Sequence, residues 1–123
     1  MDANTEQVFV KARAWRDADS DPVTRAELDQ IIESAPDSPS AMERLRGCFK
    51  PPLTFGTAGL RGLKGPGPAH MNHLLIQRVT AVIADVLRAE VPDAAERGVV
   101  VAYDARHGSK ELAETAARTI AGA

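Results

Sequence analysis

The residues best suited to chemistry lie in a glycine-rich segment, residues 54–62, which reads TFGTAGLRG. Arg61 carries a guanidinium fork, and this group can bind a phosphate through two parallel hydrogen bonds. Thr57 adds a hydroxyl group, and the glycines at 56, 59 and 62 leave backbone N–H groups to face an anion. The segment therefore indicates an anion-binding loop. A plain glycine-rich turn with a surface arginine is the alternative that the residues leave open.

Two common phosphate-binding loops do not match this segment. Its glycine spacing is not G-x-G-x-x-G, and the chain contains no Gly-Lys-Ser or Gly-Lys-Thr for a Walker loop.

A second cluster of polar residues follows a short apolar run, residues 99–103. The run, VVVAY, is typical of a strand that is buried on both faces. Ligands of open α/β sheets bind beyond the carboxyl ends of strands, so the next loop is a candidate site. We favour the structural interpretation, in which an Asp–Arg pair holds the loop and the serine caps a helix. The residues are Asp104, Arg106, His107 and Ser109.

The remaining metal-ligating or nucleophilic residue types do not indicate a site. His70 and His73 lie three residues apart, but Asn72 marks a helix start between them and no carboxylate or cysteine lies nearby. We therefore predict no metal site. Cys48 is the single cysteine, so an internal disulfide is excluded, and we expect a small buried hydrophobic residue there.

The elements that position these residues follow from apolar spacing and capping signals. In the first third we predict short helices: one over residues 6–18, one that Thr24 and Glu27 start as a capping box, and one that starts at Ser38 and Pro39. A longer helix begins at Asn72 and ends before Pro92. Its apolar residues share one face that we expect to be buried: Leu75, Val79, Val82, Ile83 and Val86.

A strand at 99–103 and a helix that begins at Ser109 complete the rhythm of an α/β fold. A buried strand needs neighbouring strands, and the chain offers few, so we expect an incomplete sheet and the start of a larger domain. We place a helical N-terminal extension at residues 1–50 and the first part of the α/β domain at residues 51–123.

Composition excludes several classes of protein. The formal net charge of −2 gives no basic surface for nucleic acid or an anionic membrane. No apolar run reaches the roughly 18 residues of a membrane span, and the N-terminus does not resemble a signal peptide. We expect a protein of the cytoplasm with no nucleic-acid or membrane partner.

Two segments together resemble the α-D-phosphohexomutase superfamily. Residues 55–62 (FGTAGLRG) followed by Met71 and Asn72 are similar to its opening segment, and residues 101–109 (VAYDARHGS) to the next. The N-terminal region resembles the phosphoglucomutase, phosphomannomutase and phosphopentomutase branch, on Trp15, Asp21, Pro22, Thr24, Arg25, Glu27 and Leu28. The resemblance implies a mixed sheet between helices in domain I, and phosphoryl transfer between two positions of a glucose, mannose or pentose phosphate.

The resemblance implies a role for only three residues of this chain. Arg61 matches the catalytic arginine beside the family's phosphoserine, where it stabilises phosphate charge in the transition state. Thr57 and Gly59 match the phosphosugar-binding loop at the entrance to that centre. The family's phosphoserine loop and its Mg²⁺-binding Asp-x-Asp-x-Asp loop have no match here, and Ser109 belongs to a different motif.

We therefore expect the N-terminal portion of a mutase, inactive by itself and without bound Mg²⁺, with the remaining mutase domains or a second copy as partners. The alternatives are a non-catalytic module that binds a sugar phosphate or docks on a mutase, and a structural fragment without function.

Overall fold

The computed structural model describes residues 2–123, and α-helices make up most of it. The described residues form two compact units, one that ends at Leu75 and one over Ile76–Ala123, and the boundary falls in the first turn of the fourth helix. The helix bounds are α1 Ala3–Ala18, α2 Pro22–Ser34, α3 Pro39–Gly47, α4 His73–Glu90, α5 Ala94–Arg97 and α6 Ser109–Ala121, with a 3₁₀ turn at Ala35–Asp37 between α2 and α3.

The first unit is built around a core in which α1, α2 and α3 pack against one another. Each helix contributes apolar side chains at helical spacing, and burial of such side chains is the main favourable term in folding. An ion pair between Arg16 and Asp29, 2.8 Å long, joins α1 to α2 at the edge of this core. The buried side chains are Phe9, Ala12 and Trp15 of α1, Leu28, Ile31 and Ile32 of α2, and Leu45 of α3.

The start of α2 differs from the predicted capping box. The helix begins at Pro22, and the Asp21 carboxylate accepts a hydrogen bond from the Val23 N–H at 3.0 Å. Proline suits a first helical position because its φ is already helical and it has no N–H to satisfy. Thr24 therefore lies inside the helix, and its hydroxyl donates instead to the buried Asp19 carboxylate at 2.6 Å.

The start of α3 confirms the prediction at Ser38. The Ser38 hydroxyl accepts a hydrogen bond from the Ala41 N–H, and Pro39 occupies the first turn. The 3₁₀ turn at Ala35–Asp37 directly precedes this cap.

In the second unit, the predicted strand at 99–103 is absent. Residues 99–103 form neither helix nor ladder, and within residues 2–123 the pairing between extended segments is limited to isolated bridges, Gly56 with Gly59 and Lys64 with Met71. Val100 is 94% exposed. The physical reason is that a strand is defined by its neighbours, and no described segment offers a second row of backbone donors and acceptors.

Part of the apolar face of α4 is also uncovered within the described chain. Within the described chain Leu75 is buried, whereas Val82, Ile83 and Val86 are exposed, so the prediction of a buried face is wrong for these three residues. A cavity of about 260 Å³ lies among α4, α5 and α6, with Leu87 and Ile120 in its lining. None of the described helices has the length and the apolar character that a membrane crossing requires.

Asp19 gives a test of the first unit. Its side chain is 1% exposed and accepts hydrogen bonds from the Asp21 N–H and the Thr24 hydroxyl. We expect Asp19→Ala to lower the free energy of unfolding by about 2–3 kcal/mol, because two donors then lose their acceptor in a buried place. Urea denaturation followed by circular dichroism measures this change. Asp17→Ala, which removes an exposed carboxylate from the last turn of α1, should cost less than about 0.5 kcal/mol, and equal losses would contradict the prediction.

Candidate functional site

The segment between the glycine-rich segment and α4, residues 65–70, is held in place by one side-chain amide, that of Asn72. The amide nitrogen donates to the backbone carbonyl oxygens of Gly67 at 2.7 Å, Gly65 at 2.8 Å and His70 at 3.1 Å. The amide oxygen accepts from the Leu75 N–H at 2.8 Å, which confirms the predicted cap of α4. Asn72 is 3% exposed, so these bonds form away from water and each lost partner is costly.

A close backbone approach fixes the other side of this segment. Gly67 has a φ of +89°, and a Cβ placed there would lie 2.3 Å from the Cys48 carbonyl oxygen. That carbonyl accepts a hydrogen bond from the Ala69 N–H at 3.0 Å. Only glycine fits both the left-handed backbone and the contact, so Gly67 joins the loop to the end of α3.

The glycines at 56 and 59 form a narrow two-residue turn. The Gly56 N–H donates to the Gly59 carbonyl at 2.9 Å, and the Gly59 N–H donates back to Gly56 at 3.3 Å. The φ of Gly59 is +94°, a conformation that glycine adopts without strain. The prediction that these two N–H groups are free to face an anion is therefore wrong, because each is satisfied across the turn.

The side chains predicted to bind phosphate lie on and beside this turn. Thr57 occupies its exposed tip and Arg61 follows it, also exposed. Arg61 forms no ion pair within residues 2–123. No described hydrogen bond joins Arg61 to Thr57. The structure thus places a guanidinium and a hydroxyl on one accessible loop, where they are not hydrogen-bonded to each other within the described chain.

The second candidate cluster is closed on itself. The Asp104 carboxylate accepts hydrogen bonds from the Arg106 backbone N–H at 3.0 Å and from the guanidinium Nε at 2.8 Å. The side-chain hydrogen bond from Arg106 is the main reason that the pKa of Asp104 is lowered to about 2. Ser109 does not cap α6 as predicted: Gly108 precedes the helix without a side-chain cap, and the Ser109 hydroxyl accepts from the Asp104 N–H at 3.1 Å.

The two histidines do not share a site with other ligands. The His70 ring nitrogen Nδ1 lies 2.8 Å from the Pro66 carbonyl oxygen, and His73 begins α4. Among residues 2–123, no three His, Cys, Asp or Glu side chains come together as metal ligands. Cys48 is buried as predicted, and burial raises the pKa of its thiol to about 11.

Comparison with known proteins identifies the family. The model of the phosphoglucomutase/phosphomannomutase alpha/beta/alpha domain I matches residues 52–123. The match covers more than half of the chain and includes the glycine turn and the Asp104 loop. The chain therefore belongs to the phosphoglucomutase/phosphomannomutase family and carries an N-terminal portion that includes domain I sequence.

Individual relatives agree with this assignment. The chain is 36% identical to a mouse phosphopentomutase over 86% of its own length, and 38% identical to a probable phosphoribomutase of Schizosaccharomyces pombe over 84%. It is also 38% identical to a phosphoglucomutase of Staphylococcus haemolyticus over 69%. The alignments span 16%, 17% and 15% of these relatives, so the chain represents about one sixth of their length. No solved structure matches the chain.

Asn72→Asp tests the loop anchor. The substitution keeps the cap of α4 but places an oxygen where the amide nitrogen donates to three carbonyl oxygens. We expect the free energy of unfolding at pH 7 to fall by about 2–4 kcal/mol, because the carbonyls lose their donors and face a like charge. Asn4→Asp makes the same change in the exposed first turn of α1, where an acid is favourable, and should not destabilise. Equal chemical-denaturation midpoints for the two variants would contradict the anchor.

The Asp104–Arg106 pair gives a pH test. The folded-state pKa of Asp104 lies below the ordinary value of 3.8, so the pair stabilises the folded chain above pH 3.8. This stabilisation is lost as the pH falls toward 2. A carboxyl carbon-13 NMR titration should give a midpoint of about 2 for Asp104. Arg106→Gln should move the midpoint up toward 3.8, and Lys110→Gln should leave it unchanged. A parent midpoint near 3.8 would show that the pair does not form in solution.

Proposed function

We propose that this chain forms the phosphate-handling entrance of a mutase that moves a phosphoryl group between two positions of a sugar phosphate. The observation that carries the proposal is the family match over residues 52–123, which includes the exposed turn and Arg61. Relatives named phosphopentomutase, phosphoribomutase and phosphoglucomutase support the reaction class. A glucose, mannose or pentose phosphate is the substrate class, and we expect the protein to act in the cytoplasm.

Arg61 is the residue to which we assign the catalytic contribution. Phosphoryl transfer depends mainly on positioning and on neutralising the charge of the phosphoryl oxygens. A guanidinium suits this task because it stays charged and donates through a planar fork. The narrow turn fixes the backbone before Arg61, and the hydrogen bond from the Met71 N–H to the Leu63 carbonyl at 2.7 Å fixes it after, so the side chain starts from a defined place.

Thr57 and Gly59 are assigned to phosphosugar binding. The Thr57 hydroxyl at the exposed tip can donate to a phosphate or sugar oxygen, whereas Gly59 maintains the tight turn through its positive φ. Since the N–H groups of Gly56 and Gly59 are engaged across the turn, the side chains carry the binding.

The family's magnesium does not fit the residues that are described here. Mg²⁺ takes oxygen ligands in near-octahedral geometry, and no group of acidic side chains within residues 2–123 offers them. Ser109 hydrogen bonds within the Asp104 loop and is not the family's phosphoserine. We therefore assign no reaction step to a metal or a nucleophile of this chain, and we propose that other segments of the mutase supply both.

We further propose that residues 99–103 join the mixed sheet of the complete domain I. They are β-branched or aromatic over most of their length, exposed, and unpaired within the described chain. Segments of the mutase beyond this chain would supply the neighbouring strands and cover the apolar residues of α4.

A chimera tests the proposed function. Residues 52–123 would replace the matching segment of the mouse phosphopentomutase, and turnover of ribose 1-phosphate and glucose 1-phosphate would be measured. We expect the chimera to be active and Arg61→Ala to lower kcat by about 10²–10³ with a smaller effect on KM, because transition-state charge then loses one donor. Arg61→Lys should recover part of the loss.

The control is Arg97→Ala, which removes an exposed arginine of α5 within the same exchanged segment. Its activity should equal that of the unmodified chimera. A chimera that melts like the parent enzyme but has no activity, or one in which both arginine variants behave alike, would contradict the proposal.

A further inference from the structure

A cavity of about 350 Å³ lies in the first unit, apart from the glycine turn. The N-terminal half of α1 forms one side, and the end of α3 with the following segment forms the other. Its volume lies at the lower end of the range for small-molecule sites. Its lining includes Val8, Lys11, Arg46, Phe49, Lys50 and Pro52.

The lining combines an apolar floor with a positive rim. Val8, Phe49 and Pro52 provide apolar surface, and Lys11, Arg46 and Lys50 provide three cations. Lys11 belongs to α1, Arg46 to α3 and Lys50 to the segment after α3, so three separate parts of the chain bring positive charge together. In a chain whose net charge is −2, this concentration of cations is local.

The one carboxylate in the lining, that of Asp2, offsets only one of the three positive charges. Asp2 caps α1: its Oδ1 accepts from the Thr5 N–H at 2.7 Å. That hydrogen bond from the helix N-terminus is the largest reason that the pKa of Asp2 is lowered. Two positive charges therefore remain in excess around the cavity, which matches the charge of a phosphate monoester.

Two contacts hold the cavity open in a defined shape. The Arg46 guanidinium donates to the Thr5 hydroxyl at 3.1 Å, which links α3 to the first turn of α1. The Phe49 ring packs edge-on against the buried Trp15, with ring centroids 6.5 Å apart. One cation and one wall of the cavity are thus already positioned, and this reduces the ordering that a ligand must impose.

We propose that this cavity binds a small organic phosphate, with the phosphate among Lys11, Arg46 and Lys50 and an apolar body against Val8 and Phe49. Inorganic phosphate would use only the rim, and a neutral aromatic compound only the floor. The site is separate from Arg61, so the proposal does not rest on the sugar-phosphate mutase function.

Phenyl phosphate is the probe, titrated into the isotope-labelled 123-residue chain and followed by amide NMR shifts at constant ionic strength. We expect saturation with a Kd of about 1–10 mM, and shifts that centre on Val8, Lys11 and Phe49. Inorganic phosphate, phenol and benzoate should each bind at least about fivefold more weakly, since each lacks part of the match. Equal binding of any of the three, or shifts centred on residues 56–62, would overturn the proposal.

Charge variants complete the test. Lys11→Gln and Arg46→Gln should each weaken phenyl phosphate about three- to tenfold, in line with the loss of one charged hydrogen bond at an exposed rim. Lys11→Gln removes no described contact, so it stays informative if the loss of the Arg46–Thr5 bond affects folding. Arg25→Gln removes an exposed cation of α2 that does not line the cavity, and its Kd should not change. Equal weakening by Arg25→Gln and Lys11→Gln would overturn the proposal in favour of non-specific charge attraction.

Discussion

The Asn72 amide is the interaction that holds the loop between the candidate site and α4. It binds three carbonyl oxygens of the preceding loop through its nitrogen, and the first turn of α4 through its oxygen. Buried carbonyl oxygens need hydrogen-bond donors, and this loop has no regular strand pairing to supply them. The Asn72 amide supplies donors instead. Because the same side chain also caps a helix, it links the loop geometry to the start of α4.

Backbone contacts before and after the glycine-rich segment hold its ends, while Thr57 and Arg61 stay exposed. The carboxyl side of the loop is fixed by Asn72 and by the approach of Gly67 to Cys48, whereas the amino side is held by the bond from the Leu53 N–H to the Pro68 carbonyl. Cys48 itself contributes packing: burial raises the pKa of its thiol to about 11, so the nucleophilic thiolate is rare at neutral pH. These backbone contacts thus hold the base of the loop, whereas the side chains of Thr57 and Arg61 are exposed to solvent.

The sequence predicted the helices well and the pairing poorly, for physical reasons that particular residues show. The Ser38 hydroxyl and the Asn72 amide oxygen each accept a hydrogen bond from an N–H in the first turn of the following helix, so both predicted caps are confirmed. Thr24 failed as a cap because Asp21 and Pro22 offered a better start three residues earlier. Residues 99–103 have strand propensity, but propensity cannot supply the neighbouring strand. The donor role of Asn72 and the rim of Lys11, Arg46 and Lys50 depend on contacts between distant residues, so spacing along the chain could not reveal them.

The two halves of residues 52–123, the segment that matches the family model, differ in how far they satisfy their own polar groups and cover their own apolar surface. In the loop before α4, the Asn72 amide donates hydrogen bonds to three backbone carbonyl oxygens, so these polar groups need no partner from another segment. The segment after α5 satisfies its acidic group through Arg106 but leaves an apolar run and part of α4 exposed. Exposed apolar surface of this kind costs free energy until another layer covers it. The folded loop therefore exposes Arg61 without help from the segment after α5, whereas the placement of Arg61 opposite a reacting phosphate, which we propose, would depend on the segments that we propose complete the sheet.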